Sequence, residues 1–214
     1  MKNLLRLLAT QLLAASLVLA AFTVPVHADT ADDDAELALQ WQDAWDTYKF
    51  YDTTPPAPES GRSRATADIS IEISAPVKRV FEKYSNFNNH IGMHPFLKRI
   101  VTHREWCRHG TRYVNLTAVD EIPYNGAIVL SNAHAQQRIH EEDLYYETDT
   151  WSLPGIVTHQ KIVFKRLSSG KTKVTEHLVF DADTSLIDLV VTSGVSSHQQ
   201  TQRGLKTAIE RGDI

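Results

Sequence analysis

Glu176 is the residue of this 214-residue chain best placed for proton chemistry. In the run KVTEHLVFD, Val174, Glu176, Leu178 and Phe180 fall on one face of a strand, while Lys173, Thr175, His177, Val179 and Asp181 fall on the other. A carboxylate on an apolar wall loses hydration, so its pKa is expected to rise and it becomes a candidate general acid or base. Pairing with a Lys or Arg near a cavity rim, or a bulge that reverses the parity, are the bland alternatives. The preceding strands offer matching faces: Gln160, Ile162 and Phe164, then Tyr146, Thr148 and Thr150. His198 stands seven residues after Val191 and seven before Leu205, on the side of a helix that also carries Val190 and Ile209. A histidine there orients a polar ligand group or relays a proton, or simply hydrogen-bonds a neighbour. The candidate catalytic residues are therefore Glu176 and His198. The candidate ligand contacts are Tyr146, Gln160, Phe164, Glu176, Val190, His198 and Leu205.

Other chemistries find little support. His90 and His94 have the i, i+4 spacing of two metal ligands on a helical turn, but no Glu lies between them as in H-E-x-x-H, and Gly92 and Pro95 weaken the helix. No metal site and no cofactor is expected. There is no G-x-S-x-G elbow and no glycine-rich phosphate loop, and Ser193-Gly194 falls inside a predicted helix. Cys107, the single cysteine, allows no intrachain disulfide and reads as a passive thiol. Asn115-Leu116-Thr117 fits the glycosylation pattern, which matters only in a host that glycosylates.

The element that must position His198 is one long amphipathic helix over residues 184–212, with Asp183 and Thr184 as N-cap candidates and Gly212 as its stop. The elements that must position Glu176 are strands. Residues 66–74 alternate Ile69, Ile71 and Ile73 against Asp68, Ser70 and Glu72. Ser74 is a cap candidate and Pro76 suits the first turn of a short helix striped by Val77, Val80, Phe81 and Tyr84. A second short helix or turn covers 86–90. Strands are then predicted at 97–106, 111–121, 127–138, 144–152, 157–167 and 171–181, joined by connections too short for anything but antiparallel neighbours. The fold class is α+β: an antiparallel sheet of about seven strands wrapped around the terminal helix, which leaves a cavity between them.

Residues 1–28 read as a secretory signal peptide: Lys2 and Arg6, an apolar stretch over 7–21, and Val26-His27-Ala28 as the cleavage site, with the cut after Ala28. A periplasmic or secreted location follows, with no stable membrane span after cleavage. Residues 29–64 read as an acidic helix and a Pro-rich linker, and 65–214 as the main domain. Residues 29–60 carry nine acids and one base, whereas the rest of the processed chain is near neutral. No basic field for nucleic acid is present. Trp41, Trp45 and Tyr48 at i, i+4, i+7 mark one helix face, either laid on the domain or serving residues 29–52 as a partner-binding arm.

The run Ile71-Glu72-Ile73-Ser74-Ala75-Pro76, followed by Val80-Phe81 and Tyr84, the His94-Pro95 step, and the helix from Gln200 to Arg211 with Leu205-Lys206 resemble the START/Bet v 1-like superfamily, within it the polyketide cyclase/dehydrase and lipid-transport group. The resemblance covers residues 66–212. It implies a helix-grip fold holding a hydrophobic or aromatic small molecule between sheet and helix, and assigns no catalytic residue. The first expectation is an exported carrier of a lipid, quinone or aromatic, polyketide-like molecule. An alternative is a cyclase/dehydrase-type enzyme using Glu176 or His198, and a third is an accessory protein for a periplasmic enzyme.

Overall fold

A strand that alternates apolar and polar residues needs a cover for its apolar face, and here the cover is the terminal helix. The computed structural model describes residues 30–124, 126–168 and 170–214. The export signal read in residues 1–28 lies outside the described residues. Strands β1 (Arg62–Ile73), β2 (Leu97–Arg108), β3 (Thr111–Tyr124), β4 (Ala127–His140), β5 (Tyr145–Ser152), β6 (Ile156–Arg166) and β7 (Thr172–Asp183) form one antiparallel sheet in the order β1-β7-β6-β5-β4-β3-β2. Helix α1 (Thr30–Tyr48) precedes the sheet, α2 (Val77–Ser85) and a 3-10 turn (Phe87–His90) follow β1, and α3 (Ile187–Arg211) ends the fold. This is the expected α+β helix-grip arrangement. Among the described residues no helix is long and apolar enough to cross a membrane.

Register fixes which side chains face α3. Ile69 pairs with Glu176, Glu176 with Ile162, and Ile162 with Tyr146, so these positions stand in one row on the inner face. At one end of the interior Phe81, Tyr84, Tyr146, Phe164, Leu205 and Ile209 close into a single cluster. At the other, Val190, Val191 and Val195 of α3 rest on Ile69, Leu178 and Phe180. The helix packs on β1 and β7 rather than on the middle of the sheet. Two glycines permit close approaches here. A Cβ at Gly194 would lie 2.6 Å from the Phe180 ring, and one at Gly204 would lie 2.9 Å from Met93 Cβ.

The outer face is covered too. Leu37, Trp41 and Ala44 of α1 are buried, and Trp41 Nε1 donates to the Ala135 carbonyl at 2.8 Å. Trp45 stacks on Trp41 and Tyr48 on Trp151, so the aromatic face of this helix is laid on the sheet. Tyr48, Tyr51 and Leu39 keep substantial exposure.

Three local readings need correction. Strand β1 begins at Arg62, not Thr66, because Arg62 to Ala65 continue the ladder to Asp183 with small inward residues and no apolar signal. Ser74 does not cap α2; Pro76 is the N-cap residue, and Ser74 N–H donates to Glu210 Oε1. Asp183 and Thr184 do not cap α3. Asp183 instead accepts from Ser185 N–H and Oγ, closing a turn before a helix that starts at Ile187.

Candidate functional site

Strand β7 and helix α3 bring the two sequence candidates together. Glu176 Oε2 lies 2.6 Å from His198 Nδ1, with Glu176 only 2% exposed. Its other oxygen, Oε1, accepts from the Tyr84 hydroxyl of α2 and from Gln202 Nε2 at 3.0 Å. Three donors on one buried carboxylate answer the desolvation that would otherwise exclude the charge. They also overturn the expected shift. Burial alone pushes the Glu176 carboxyl up, but the imidazole of His198 and the hydrogen bonds from His198, Tyr84 and Gln202 outweigh it and hold the group below the usual glutamate range. Glu176 is thus an anchored anion, not a poised acid, with the His198 ring held against it at Nδ1. No Lys or Arg among the described residues takes part.

Neighbouring groups are fixed by the same burial. Tyr84 is pushed well above the usual phenol range by desolvation and then by the Glu176 charge, so it stays protonated and donates. Tyr146, equally enclosed, moves the same way for the same two reasons. His90, whose Nε2 lies 2.8 Å from the Tyr84 carbonyl, is lowered by desolvation to about 4 and is neutral.

The predicted ligand contacts divide into two sets. Tyr146, Phe164 and Leu205 are core, at 2%, 4% and 0% exposure, because Phe81, Tyr84 and Phe87 fill the space beside them. They do not line an open surface. Gln160, Val190 and His198 are half-buried, as are Thr150 and Thr158 on the same inner face. Gln160 Nε2 donates to Thr158 Oγ1 at 3.2 Å. Between the two sets sits Thr148, 1% exposed, whose hydroxyl is buried without a partner.

Tyr84 and Gln202 were missed as polar members of the site. Tyr84 reads as one more apolar position of α2. Gln202 carried a usable signal, lying four residues after His198 and three before Leu205, on the buried side of α3. His90 Nε2 lies against the Tyr84 carbonyl and His94 Nδ1 accepts from backbone N–H groups, and no cluster of three metal-ligating side chains occurs among the described residues. Two surface recesses lie away from this site. One, about 770 Å³, is walled by residues such as Lys78, Phe81, Arg112 and Glu141; the other, about 320 Å³, lies beneath the end of α1 beside Arg62 and Asp181. Glu176 and His198 line neither.

The sheet wound against a terminal helix has counterparts among solved structures. TTHA0849 from Thermus thermophilus aligns with a TM-score of 0.55 at 13% identity, covering 70% of this chain and 100% of that one. The Zhui aromatase/cyclase from Streptomyces sp. R1128 aligns at 0.55 and 10% identity, over 71% and 96% of the two chains. Ara h 8.0201 aligns at 0.53 and 14% identity, over 69% and 98%. The sequence matches no protein-family model and no curated protein. At these identities the likeness is one of architecture: the chain shares the helix-grip fold of these structures.

Proposed function

We propose that this protein is an exported binding or carrier protein for a hydrophobic small molecule held between sheet and α3. The observation that carries this reading is the unroofed half of the inner face. Because α3 leans on β1 and β7, Thr150, Thr158, Gln160, Val190, Val195 and His198 remain half-buried around a fully buried carboxylate. Apolar burial supplies the affinity there, and a few fixed polar groups supply orientation. Export rests on the charged, apolar and small-residue pattern of residues 1–28. Native mass spectrometry of protein purified from its own host, followed by denaturing extraction, tests the binding reading. A stoichiometric lipophile supports it; protein that carries nothing and ignores a panel of lipids, quinones and aromatics refutes it.

A second reading, proton-transfer catalysis of the cyclase/dehydrase kind, is favoured by the Glu176–His198 pair. A histidine oriented at Nδ1 by a buried carboxylate presents Nε2 as a general base. In that case Glu176→Gln abolishes turnover of an enolisable substrate while binding persists.

A further inference from the structure

The larger of the two surface recesses, about 770 Å³, has an apolar floor and charged walls. One wall is α2, which presents Lys78 and Lys83; the other is the turn between β4 and β5, which presents Glu141 and Glu142. Phe81 and Leu144 are the apolar members of the lining and form the floor. Both belong to the interior as well. Phe81, 6% exposed, stands edge-on to Phe164 with ring centroids 5.3 Å apart, and Leu144 packs against the same cluster. The volume lies in the range of pockets that hold one small molecule.

Both walls are tied to the sheet. Gln137 Nε2 of β4 donates to the Ser85 carbonyl at the end of α2 at 2.9 Å, and the Phe164 N–H of β6 donates to the Leu144 carbonyl at 3.1 Å. Leu144 is held at φ +53°, a left-handed conformation that a leucine rarely adopts and that persists only where its surroundings enforce it. The recess is therefore built before any ligand arrives. Lys83 pairs along α2 with Glu82 at 3.7 Å, and Arg112, also in the lining, pairs with Glu105 at 2.7 Å. Among the described residues no ion pair joins the two walls, and Lys78, Glu141 and Glu142 have no ionic partner. An unpaired cation on one wall and two unpaired anions on the other thus flank an apolar floor.

We propose that this recess is a second binding site, separate from the inner face beside His198, and that it takes a single zwitterionic amphiphile. The apolar segment of the ligand lies on Phe81 and Leu144, its anionic group turns to Lys78, and its cationic group turns to Glu141 and Glu142. An uncharged lipophile gains the floor alone. A ligand with one charge satisfies one wall and leaves the other solvated. The occupant is one molecule and not a membrane surface, because the site is concave, of single-molecule volume, and rimmed by charges of both signs that give an anionic bilayer no net attraction.

The probe is octylphosphocholine, kept below its micelle-forming concentration and titrated calorimetrically into the purified protein. Octyl glucoside, octyl sulfate and octyltrimethylammonium carry the same chain with an uncharged, an anionic and a cationic head. Each matched charge is expected to act as an exposed ion pair worth about two- to fivefold in affinity, so one octylphosphocholine binds about four- to twentyfold more tightly than octyl glucoside, less so in high salt. Lys78→Gln is expected to cut the preference over octyltrimethylammonium, and Glu141→Gln with Glu142→Gln the preference over octyl sulfate, by about two- to fivefold each. All three side chains are exposed, so the fold survives these changes. Equal binding of the four amphiphiles, or an order of affinity that neither variant alters, overturns the proposal and leaves the inner-face reading standing. Cosedimentation with phosphatidylcholine vesicles without binding of the monomer overturns it in favour of a membrane surface. Failure of all four to bind overturns it outright, while the extraction experiment above decides the inner-face reading separately.

Discussion

Replacing Asp120 with asparagine is expected to stabilise the protein at neutral pH and to leave it unchanged in acid. Asp120 lies on the inner face of β3, opposite Ser131 of β4, and its Oδ1 is buried without a hydrogen bond. The nearest ring atom, His94 Nδ1 at 3.9 Å, already accepts two backbone N–H bonds and offers it no proton. Burial raises the carboxyl from 3.8 to about 6. A group whose folded pKa is raised contributes stability that is fully present below the unfolded value and lost as pH rises through the folded one. The window is therefore about pH 4 to 6, and above it the ionised side chain costs the fold up to about 3 kcal/mol. The side chain keeps 18% exposure, so solvent screening reduces the expected gain from Asp120→Asn to about 1 to 3 kcal/mol near pH 8.

Urea denaturation of both proteins at about pH 4, 6 and 8 measures this directly, as a midpoint difference that opens with pH at constant slope. If Asp120→Asn lowers the midpoint equally at every pH, the carboxylate is a satisfied structural partner and the reasoning fails. A confirmed gain means that the chain tolerates an unpartnered buried charge beside His94, the kind of local cost expected where a site is built for a ligand rather than for stability.

Three further outcomes follow from the packing. Gly194→Ala sets helix propensity, worth about 1 kcal/mol, against a Cβ 2.6 Å from the Phe180 ring, worth about 1 to 3 kcal/mol in the other direction. A net loss in thermal stability that Phe180→Leu rescues is expected, and absence of rescue would place the clash elsewhere. Trp41→Ala removes a side chain 5% exposed and leaves the Ala135 carbonyl without its donor, for a loss of about 3 to 5 kcal/mol by chemical denaturation; a surface-like effect under about 0.5 kcal/mol would mean that α1 does not hold the sheet. His134, lowered to about 4 by burial and then by the His103 charge, binds protons more tightly when unfolded. Its contribution is lost as pH falls from 6.5 towards 4, so His134→Gln is expected to flatten the acid limb of the stability profile.

Much of this molecule is written in local patterns, and what is not written there is long-range. Period-two alternation and short turns predict the antiparallel run from β2 to β7, though not the pairing of β1 with β7, and helical spacing puts His198 on the side that meets Glu176. The sign of the Glu176 shift was illegible because it depends on donors from distant elements: Tyr84 on α2, and His198 and Gln202 on α3, against a carboxylate on β7. The closing of the interior around Tyr146, Phe164 and Leu205 was equally hidden. It depends on how α2 and the 3-10 turn fill space, which no single-strand pattern encodes. The early start of β1 escaped because Arg62 and Arg64 look like linker residues until their outward partners are known.

Those outward partners explain why the outer face departs from the expectation of a solvated surface. Asp181 shares the face of Lys173 and His177, as its parity requires, yet it is buried. Arg64 of β1 pairs with it at 2.6 Å, His159 Nε2 of β6 stands 4.0 Å from it, and His159 Nδ1 meets Asp149 of β5 at 2.8 Å. Asp149 in turn accepts from Arg138 of β4 at 2.5 Å. The result is a chain of alternating basic and acidic side chains with one member on each of five adjacent strands. Buried ion pairs add little net stability, but removing one member leaves its neighbour's charge enclosed and unpaired. Arg64 also donates to the carbonyls of Thr53 and Thr54, so the segment after α1 is held by polar matching as well as by the aromatic cluster. A helix placed only by apolar area can slide along a sheet. One whose following segment is held by Arg64 and whose Trp41 reaches a single carbonyl cannot, and this is why the aromatic face of α1 packs on the sheet and is not left free as a contact arm.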